Sequence, residues 1–428
     1  MNNNFVNENY KKKGGSMKLK RSMMLVLGCA MMLSVKTFAS GVDDLANLLA
    51  EQGVITYGQA QQIITESNEQ ARQELASGKA KTAPAWVQNL TFKGDLRVRA
   101  QYDWSASDKV RIRERLRFRM GAETRPIDKL TVGFGFATGA LSSSTGADSS
   151  SSSTNHTFQY MDKPNLFVDY AYIQYEPYNW IAVRGGKVKA KTQVWNSSDL
   201  IWDGDYNPDG LNATASTQLS ESIKLTGNAG LYTFGETRKG KDAADAYILQ
   251  PVIEYKEGDI KVKAALAYQQ FNFEGRNQTM LREASIGNVN YKIVNPSLSV
   301  DFSNVAGSYT LSLFGDMAQN IQSDLPKDSN GDDQTKGYLA GLGFGHAKLD
   351  TFGTWNLKAM YRYLEAYAAP DKLGDSDAYG GSAGKGFEIV ANFGLTKALS
   401  LGIDYYQMTN INGDVPKSLC QFDFVCKF

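Results

Sequence analysis

From Thr91 onward, apolar and polar residues alternate along most segments of the chain, and this pattern constrains the fold more than any other feature. In the first segment, Leu96 and Val98 alternate with Arg97 and Arg99. The same alternation returns in segments spread over the rest of the chain: 259–273, 354–368 and 399–410. A period of two residues is that of a β-strand with one apolar and one polar face. The sequence therefore predicts an all-β, antiparallel structure.

The lengths of the connections decide between a soluble β-sandwich and a membrane barrel, since both would show this alternation. We expect sixteen strands between residues 91 and 428. Tight turns are expected at 126–128, 177–179, 257–258 and 305–306, and long polar loops at 141–166, 191–208, 236–245, 274–290, 320–336 and 369–383. Short turns at one end and long loops at the other are typical of outer-membrane barrels. The chain is thus predicted to form a transmembrane antiparallel β-barrel of about 16 strands, residues 86–428.

The first part of the chain is typical of an export signal. Residues 17–39 have a basic start, an apolar stretch from Met23 to Val35 and a small-residue cleavage site at Ala39, as in a secretory signal peptide. Lipidation at Cys29 is a less favoured alternative, because Cys29 lies inside the apolar stretch. Residues 1–16 are interpreted as an untranslated extension. Residues 1–39 hold seven basic residues and one acidic residue, so their removal changes the formal net charge from +1 to −5. This charge argues against a nucleic-acid partner.

Residues 40–85 predict a short helical segment before the barrel. Leu45, Leu48 and Leu49 have helical spacing, and Thr56 with Gln59 forms a capping box for a second helix. An even strand count returns the chain to its starting side, which places this segment and the C-terminus in the periplasm. The segment is interpreted as a solvated amphipathic hairpin or stalk; the alternative is an attachment module that contacts peptidoglycan.

Charged residues on the polar strand faces are the candidates for a pore lining. Five arginines lie on one face of a single predicted strand: Arg111, Arg113, Arg115, Arg117 and Arg119. Each would cost about 2–4 kcal/mol against lipid at mid-depth, so this face must meet water in the lumen. The lumen-facing sides of other predicted strands are expected to carry these further residues: Arg97, Arg99, Lys261, Lys263, Arg362, Glu388 and Asp404. They are either a merely solvated wall or an electrostatic wall that attracts anions.

Acidic residues cluster before the sixth strand, at Asp199, Asp203, Asp205 and Asp209. If this loop folds inward, it forms a candidate constriction loop that faces the arginine wall. The alternative is a surface role, in which the carboxylates bridge lipopolysaccharide through divalent ions.

An enzymatic function is disfavoured by the residue types present. The chain has two histidines, His156 and His346, and no G-x-S-x-G motif, so a barrel lipase or protease lacks its catalytic set. No catalytic residue, metal ligand or cofactor site is predicted. A structural tether or adhesin is the main alternative to a channel.

The end of the sequence and four internal motifs carry a resemblance to known proteins. Phe422, Phe424 and Phe428 alternate up to the last residue, which resembles the C-terminal strand that the barrel-assembly machinery reads in bacterial outer-membrane proteins. FKGDLRVRAQY, RERLRFRMG, VDYAYIQYEP and WDGDYNPDGL, in that order, resemble the putative porin family of Gram-negative bacteria. The resemblance implies an outer-membrane porin, a passive diffusion channel for small hydrophilic solutes with an anion preference suggested by the arginines. It leaves the solute and the formation of a homotrimer open.

Overall fold

The computed structural model describes residues 45–76, 85–105, 110–139, 153–189, 194–235, 242–274, 289–371, 373–379, 381–411 and 415–428. The expected extension at 1–16 and signal peptide at 17–39 lie outside these residues. The chain divides into two units, Met1–Gln88 and Asn89–Phe428.

The first unit contains short helices at residues 45–51, Tyr57–Ala76 and Ala85–Gln88. The predicted capping box is present: the backbone N–H of Thr56 donates to Gln59 Oε1 at 2.9 Å, and the Gln59 N–H donates to Thr56 Oγ1 at 3.2 Å. These bonds satisfy backbone donors that a helix start leaves free. No helix among the described residues is long and apolar enough to cross a membrane.

The second unit is built from strands. Their bounds are β1 Thr91–Ser105, β2 Arg111–Ile127, β3 Leu130–Gly139, β4 His156–Thr157, β5 Asn165–Tyr178, β6 Ile181–Lys187, β7 Asp209–Gln218, β8 Ile223–Thr233, β9 Asp245–Glu257, β10 Ile260–Asn272, β11 Tyr291–Val305, β12 Tyr309–Asn320, β13 Lys336–His346, β14 Trp355–Leu364, β15 Gly384–Gly394, β16 Leu399–Asn410 and β17 Pro416–Lys427.

The sixteen long strands form one closed antiparallel barrel, as the sequence predicted. Each pairs with its neighbour in the chain, and β17 pairs with β1 from Asp95↔Lys427 to Ser105↔Lys417. The two-residue β4 adds only a local pairing to β2. Closure leaves no unpaired sheet edge, which is the condition for a β-structure to span lipid.

Connections of different length lie at the two ends of the barrel. At the end that holds the start of β1 and the end of β17, six turns have two to four residues, and the β13–β14 connection has eight. At the opposite end, six of the connections have between eleven and twenty-five residues, while the first and last have five. We call the two ends the turn end and the loop end.

The alternation sorts side chains to the two faces of the wall. Outward residues such as Leu96, Val98 and Phe424 are exposed apolar groups, as a lipid-facing surface requires. Inward residues are polar and buried inside the barrel, with Gln101 and Gln269 both 0% exposed. All the predicted pore-lining positions lie on inward-facing registers.

Candidate functional site

The arginine-rich wall is formed by the inward faces of β1 and β2. The antiparallel register places Arg97 opposite Arg117 and Arg99 opposite Arg115. Neighbouring like charges at this spacing are unfavourable unless carboxylates lie between them. The structure supplies these carboxylates from β1, β16 and β17 and from two loops.

Aspartates of β1 neutralise three of the β2 arginines. Asp95 accepts from Arg117 at 2.9 Å and from Arg119 at 2.8 Å, and Asp103 accepts from Arg113 at 2.7 Å. The sequence did not predict these pairs, because they depend on the exact register between β1 and β2. These ion pairs hold the guanidinium groups of Arg113, Arg117 and Arg119 at defined heights along the wall.

Arg99 lies at the centre of a larger ionic cluster. Its guanidinium makes two bonds with Asp423, at 2.6 and 2.7 Å, and lies 3.7 Å from carboxylate oxygens of both Asp377 and Asp404. Arg97 shares Asp423 at 3.5 Å and donates to Asn155 Oδ1 at 2.7 Å. Both arginines are buried among these groups.

Arg115 differs from the other arginines at mid-height. It donates to Gln101 Oε1 at 2.9 Å, and no carboxylate of the described residues lies within 4 Å of its guanidinium. Arg111, on the same strand face, lies at the exposed loop end of β2. Arg115 is therefore the arginine of this wall whose charge is least compensated by an adjacent acid.

The loop between β6 and β7 folds into the barrel. We call residues 194–208 the constriction loop. Trp202 Nε1 donates to Gln269 Oε1 on β10 at 2.7 Å, and the backbone N–H of Trp195 donates to Gln250 Oε1 on β9 at 2.8 Å. Ser198 Oγ also donates to Asp316 on β12. The loop thus contacts the wall across several strands on the inner side.

A second inward loop, described over residues 365–371, 373–379 and 381–383, was not predicted to fold inward from the sequence. Arg362 donates to its backbone carbonyls at Asp375 and Ala378, at 3.2 and 3.3 Å, and to the carbonyl of Gly381. Gln421 Nε2 donates to Asp377 Oδ2 at 2.9 Å. Arg362 was expected on the pore lining. It lies on the inward face, but its guanidinium is buried under this loop and holds it in place.

The two inward loops contact each other in the interior. The backbone N–H of Asp203 donates to the Leu373 carbonyl at 2.6 Å, and that of Asp375 donates to the Asp199 carbonyl at 3.3 Å. Leu200, Ile201 and Leu373 are buried in an apolar cluster, which the loops share with wall residues. This cluster fills part of the cross-section and gives the loops a rigid base.

Carboxylates gather where the loops meet. Burial, followed by the charges of Asp205, Asp375 and Asp199, raises the pKa of Asp203 to about 8. Limited hydration inside the barrel and the charge of Asp375 raise the pKa of Asp199 to about 6. Removing water from a carboxylate and crowding it with others both disfavour its charged form. Asp203 therefore carries its full negative charge only at alkaline pH, whereas Asp199 is mostly ionised at neutral pH.

The predicted loop acids do not all face the arginines across water. Asp205 contacts Arg119 directly at 3.3 Å, and Asp209 begins β7, where it pairs with Lys187 at 3.2 Å. Asp199 and Asp203 group with Asp375 of the second loop. Of the remaining predicted wall residues, Asp404 lies beside Arg99, and Glu388 interacts electrostatically with Asp375 and Asp404.

The two predicted lysines lie on β10, on another part of the wall. Lys261 pairs with Glu254 at 3.4 Å, and the Lys263 ammonium lies 4.7 Å from the centre of the Trp195 ring. Within the described part of the chain, no three His, Cys, Asp or Glu residues are placed to hold a metal ion.

Comparisons with known proteins agree with this architecture. The family model described as "Putative porin" matches residues 104–292 and 287–428. No curated protein matches the sequence. The barrel is similar to OprB of Pseudomonas putida, at 11% identity and a TM-score of 0.53, over 83% of this chain and 97% of that one.

Two further solved structures are similar with lower TM-scores. The outer membrane channel DcaP of Acinetobacter baumannii is 14% identical, with a TM-score of 0.47, over 79% of this chain and 97% of that one. An anion-selective porin from Comamonas acidovorans is 13% identical, with a TM-score of 0.48, over 79% and 99%. The family model covers well over half of the sequence, and the strands close into the barrel that such a family requires. The chain therefore belongs to the putative porin family and forms an outer-membrane channel.

Proposed function

We propose that the protein is a passive diffusion channel for small hydrophilic solutes. The observation that carries this is the charged interior at mid-height, where arginines and aspartates meet two inward loops. Charges held on rigid strands select solutes by size and charge without a moving part or a cofactor. Solutes would pass between the arginine wall and the loop acids.

The finer part of the proposal is a preference for anions. Arg115 provides a positive charge without an adjacent carboxylate, and Asp203 and Asp199 lose their negative charge as the pH falls through the values given above. At neutral pH the net charge of the constriction is therefore more positive than the sum of the formal charges of its residues. Low-dielectric walls strengthen this effect on a passing ion.

Single-channel recording of the purified protein in planar bilayers tests the proposal. We expect discrete conductance steps in KCl, and a zero-current potential that indicates Cl⁻ over K⁺ under a KCl gradient. A folded barrel that gives no steps would exclude the channel. Steps with a preference for K⁺ at neutral pH would exclude the anion preference alone.

We further propose that the long loops face the outside of the cell and the turns face the periplasm. Asn330 is exposed in the loop between β12 and β13. A Cys placed there should react with an impermeant maleimide on intact cells, above the level of the wild type with its native Cys420 and Cys426. Labelling only after disruption of the outer membrane would invert this orientation.

The outward apolar surface implies contact with membrane lipid, and three further partners are proposed. The barrel-assembly machinery would read the C-terminal aromatics; Phe428 stacks on Phe118 with ring centres 6.4 Å apart. Removal of Phe428 should lower the amount of barrel in the outer membrane, and unchanged yield would refute the signal.

Cross-linking in membranes tests a homotrimer. Sedimentation of residues 40–85 with peptidoglycan tests attachment by the helices.

A further inference from the structure

A polar cavity lies at the turn end of the interior, apart from the arginine wall. It has a volume of about 310 Å³ and is enclosed by the wall of β6–β10 and the constriction loop. Its charged lining residues are Arg184, Lys224, Lys263 and Glu254. Each lies within four residues of the turn-end limit of its strand, so the cavity opens toward the periplasm in the orientation proposed above.

The cations of this cavity make no direct ion pair with a carboxylate of the described residues. No carboxylate of the described residues lies within 4 Å of the charged groups of Arg184, Lys224 or Lys263. The register places Glu254 opposite both Lys224 and Lys263, but its carboxylate is within ion-pair distance of Lys261, at 3.4 Å. The cavity and its edge therefore carry four cations and two acids, the second being Glu176, which accepts a hydrogen bond from Gln174 beside Arg184. Such an excess attracts an anion.

Arg184 is held in position by neutral groups. Its Nε donates to Gln174 Oε1 at 2.6 Å, and one Nη donates to Thr214 Oγ1 at 3.1 Å and to Asn212 Oδ1 at 3.3 Å. These bonds orient the guanidinium and leave its full positive charge. An arginine fixed in this way can bind a carboxylate with little loss of side-chain entropy.

The rest of the lining is suited to hydroxyl groups. Thr214 Oγ1 donates to Asn228 Oδ1 at 3.1 Å, and the hydroxyls of Ser216 and Thr226 lie 3.1 Å apart. Trp195 forms the loop side of the cavity. Its main chain is fixed by Gln250, whose Nε2 donates to the Trp195 carbonyl at 2.7 Å. An aromatic face next to hydroxyl and amide groups can pack on C–H groups while its neighbours exchange hydrogen bonds with a solute.

We propose that this cavity binds a small polyhydroxylated carboxylate, with the carboxylate among Arg184, Lys224 and Lys263 and the hydroxyls on the Thr, Ser and Asn side chains. The volume lies at the lower end of the range for small-molecule sites, which limits the ligand to the size of a single sugar acid. The proposal rests on the diffusion function and adds a solute class to it. The cavity would hold such a solute at the periplasmic end of the channel.

Block of single-channel current by gluconate tests the proposal. Gluconate should be added on the side of the bilayer that the turn end of the wild-type channel faces. It should reduce the KCl current in a saturable way, with half-maximal block at millimolar gluconate concentration. The changes Lys263→Gln and Lys224→Gln should each weaken the apparent affinity about fivefold, the effect of one partly screened charge contact. Lys256→Gln is the matched control. Lys256 lies on the same face of β9 as Glu254 but outside the cavity, so the apparent affinity of this variant for gluconate should equal that of the wild type.

Two other solutes test the contributions of the carboxylate and of the hydroxyls separately. Glucose, which lacks the carboxylate, and acetate, which lacks the hydroxyls, should both block much more weakly than gluconate. Equal block by acetate would overturn the role of the hydroxyls, and equal affinity of the three lysine variants would overturn the site. In either case the KCl steps of the same channels remain as evidence for the diffusion function. Loss of the steps in the wild type would instead refute that function.

Discussion

Replacement of Arg115 by Gln gives the most direct measurement of the charge in the constriction. The change removes one positive charge and leaves no acid without its partner, because Gln101 is the group that Arg115 contacts. Arg111→Gln is the matched control. It removes the same charge from the same strand face, but at the exposed loop end, where water and salt screen it.

The expected shift follows from Coulomb's law. A guanidinium on the wall at about 7 Å from an ion contributes about 0.6 kcal/mol in water. Salt at about 0.1 M has a Debye length of about 10 Å and reduces this by about half. The remaining energy of about 0.3 kcal/mol acts in opposite directions on K⁺ and Cl⁻, so the permeability ratio changes about threefold.

Zero-current potentials in planar bilayers measure this ratio. On a scale of about 59 mV per tenfold change for a univalent ion, a threefold change under a tenfold KCl gradient moves the potential by about 20 mV toward cations. Arg111→Gln should move it by only a few millivolts on the same scale. An unchanged potential in Arg115→Gln, or an equal shift in both variants, would show that Arg115 does not line the conduction path.

Three further outcomes are expected. Arg99→Gln should lower the free energy of unfolding by about 3–5 kcal/mol in urea titrations, because it removes the cation that Asp423, Asp377 and Asp404 share and leaves Asp423 only its longer contact with Arg97. Trp202→Phe removes the bond to Gln269 and should cost the loop about 1–2 kcal/mol, seen as larger open-channel current noise than in the wild type. The Cl⁻ preference should rise as the pH is lowered from 9 to 7, since Asp203 with its pKa of about 8 loses its negative charge; Asp203→Asn should weaken this dependence, which the other carboxylates of the interior retain in part.

The barrel could be predicted from local sequence because its determinants are local. The period of two sorts Leu96 and Val98 outward and Arg97 and Arg99 inward, and turn residues divide one strand from the next. Each long strand pairs with its neighbour in the chain, so recognition of the strands nearly defines the sheet. The predicted charged face of β2 was placed inward for the same reason, because arginine is too costly against lipid.

The interior arrangement could not be predicted, because it depends on contacts between distant residues. The loop at 365–383 has no periodicity that would indicate an inward path. Its position depends on Arg362, which donates to loop carbonyls that any residue type provides. The pairing of Arg113 with Asp103 requires the exact register of β1 and β2. Arg184 gave no signal either, because a single arginine in a short strand has no pattern around it.

The pairing of β1 with β17 has a consequence for how the barrel forms. Every other junction between neighbouring long strands joins segments that are adjacent in the chain, whereas Arg99 and Asp423 are separated by 324 residues. The entropy of closing such a loop grows only with the logarithm of its length and amounts to about 5 kcal/mol. Eleven residue pairs along this seam offset that cost together. Because the seam joins residues so distant in sequence, contact order makes it the slowest strand pairing to form. Assembly should therefore pass through an open sheet, which closes in one step when β1 pairs with β17.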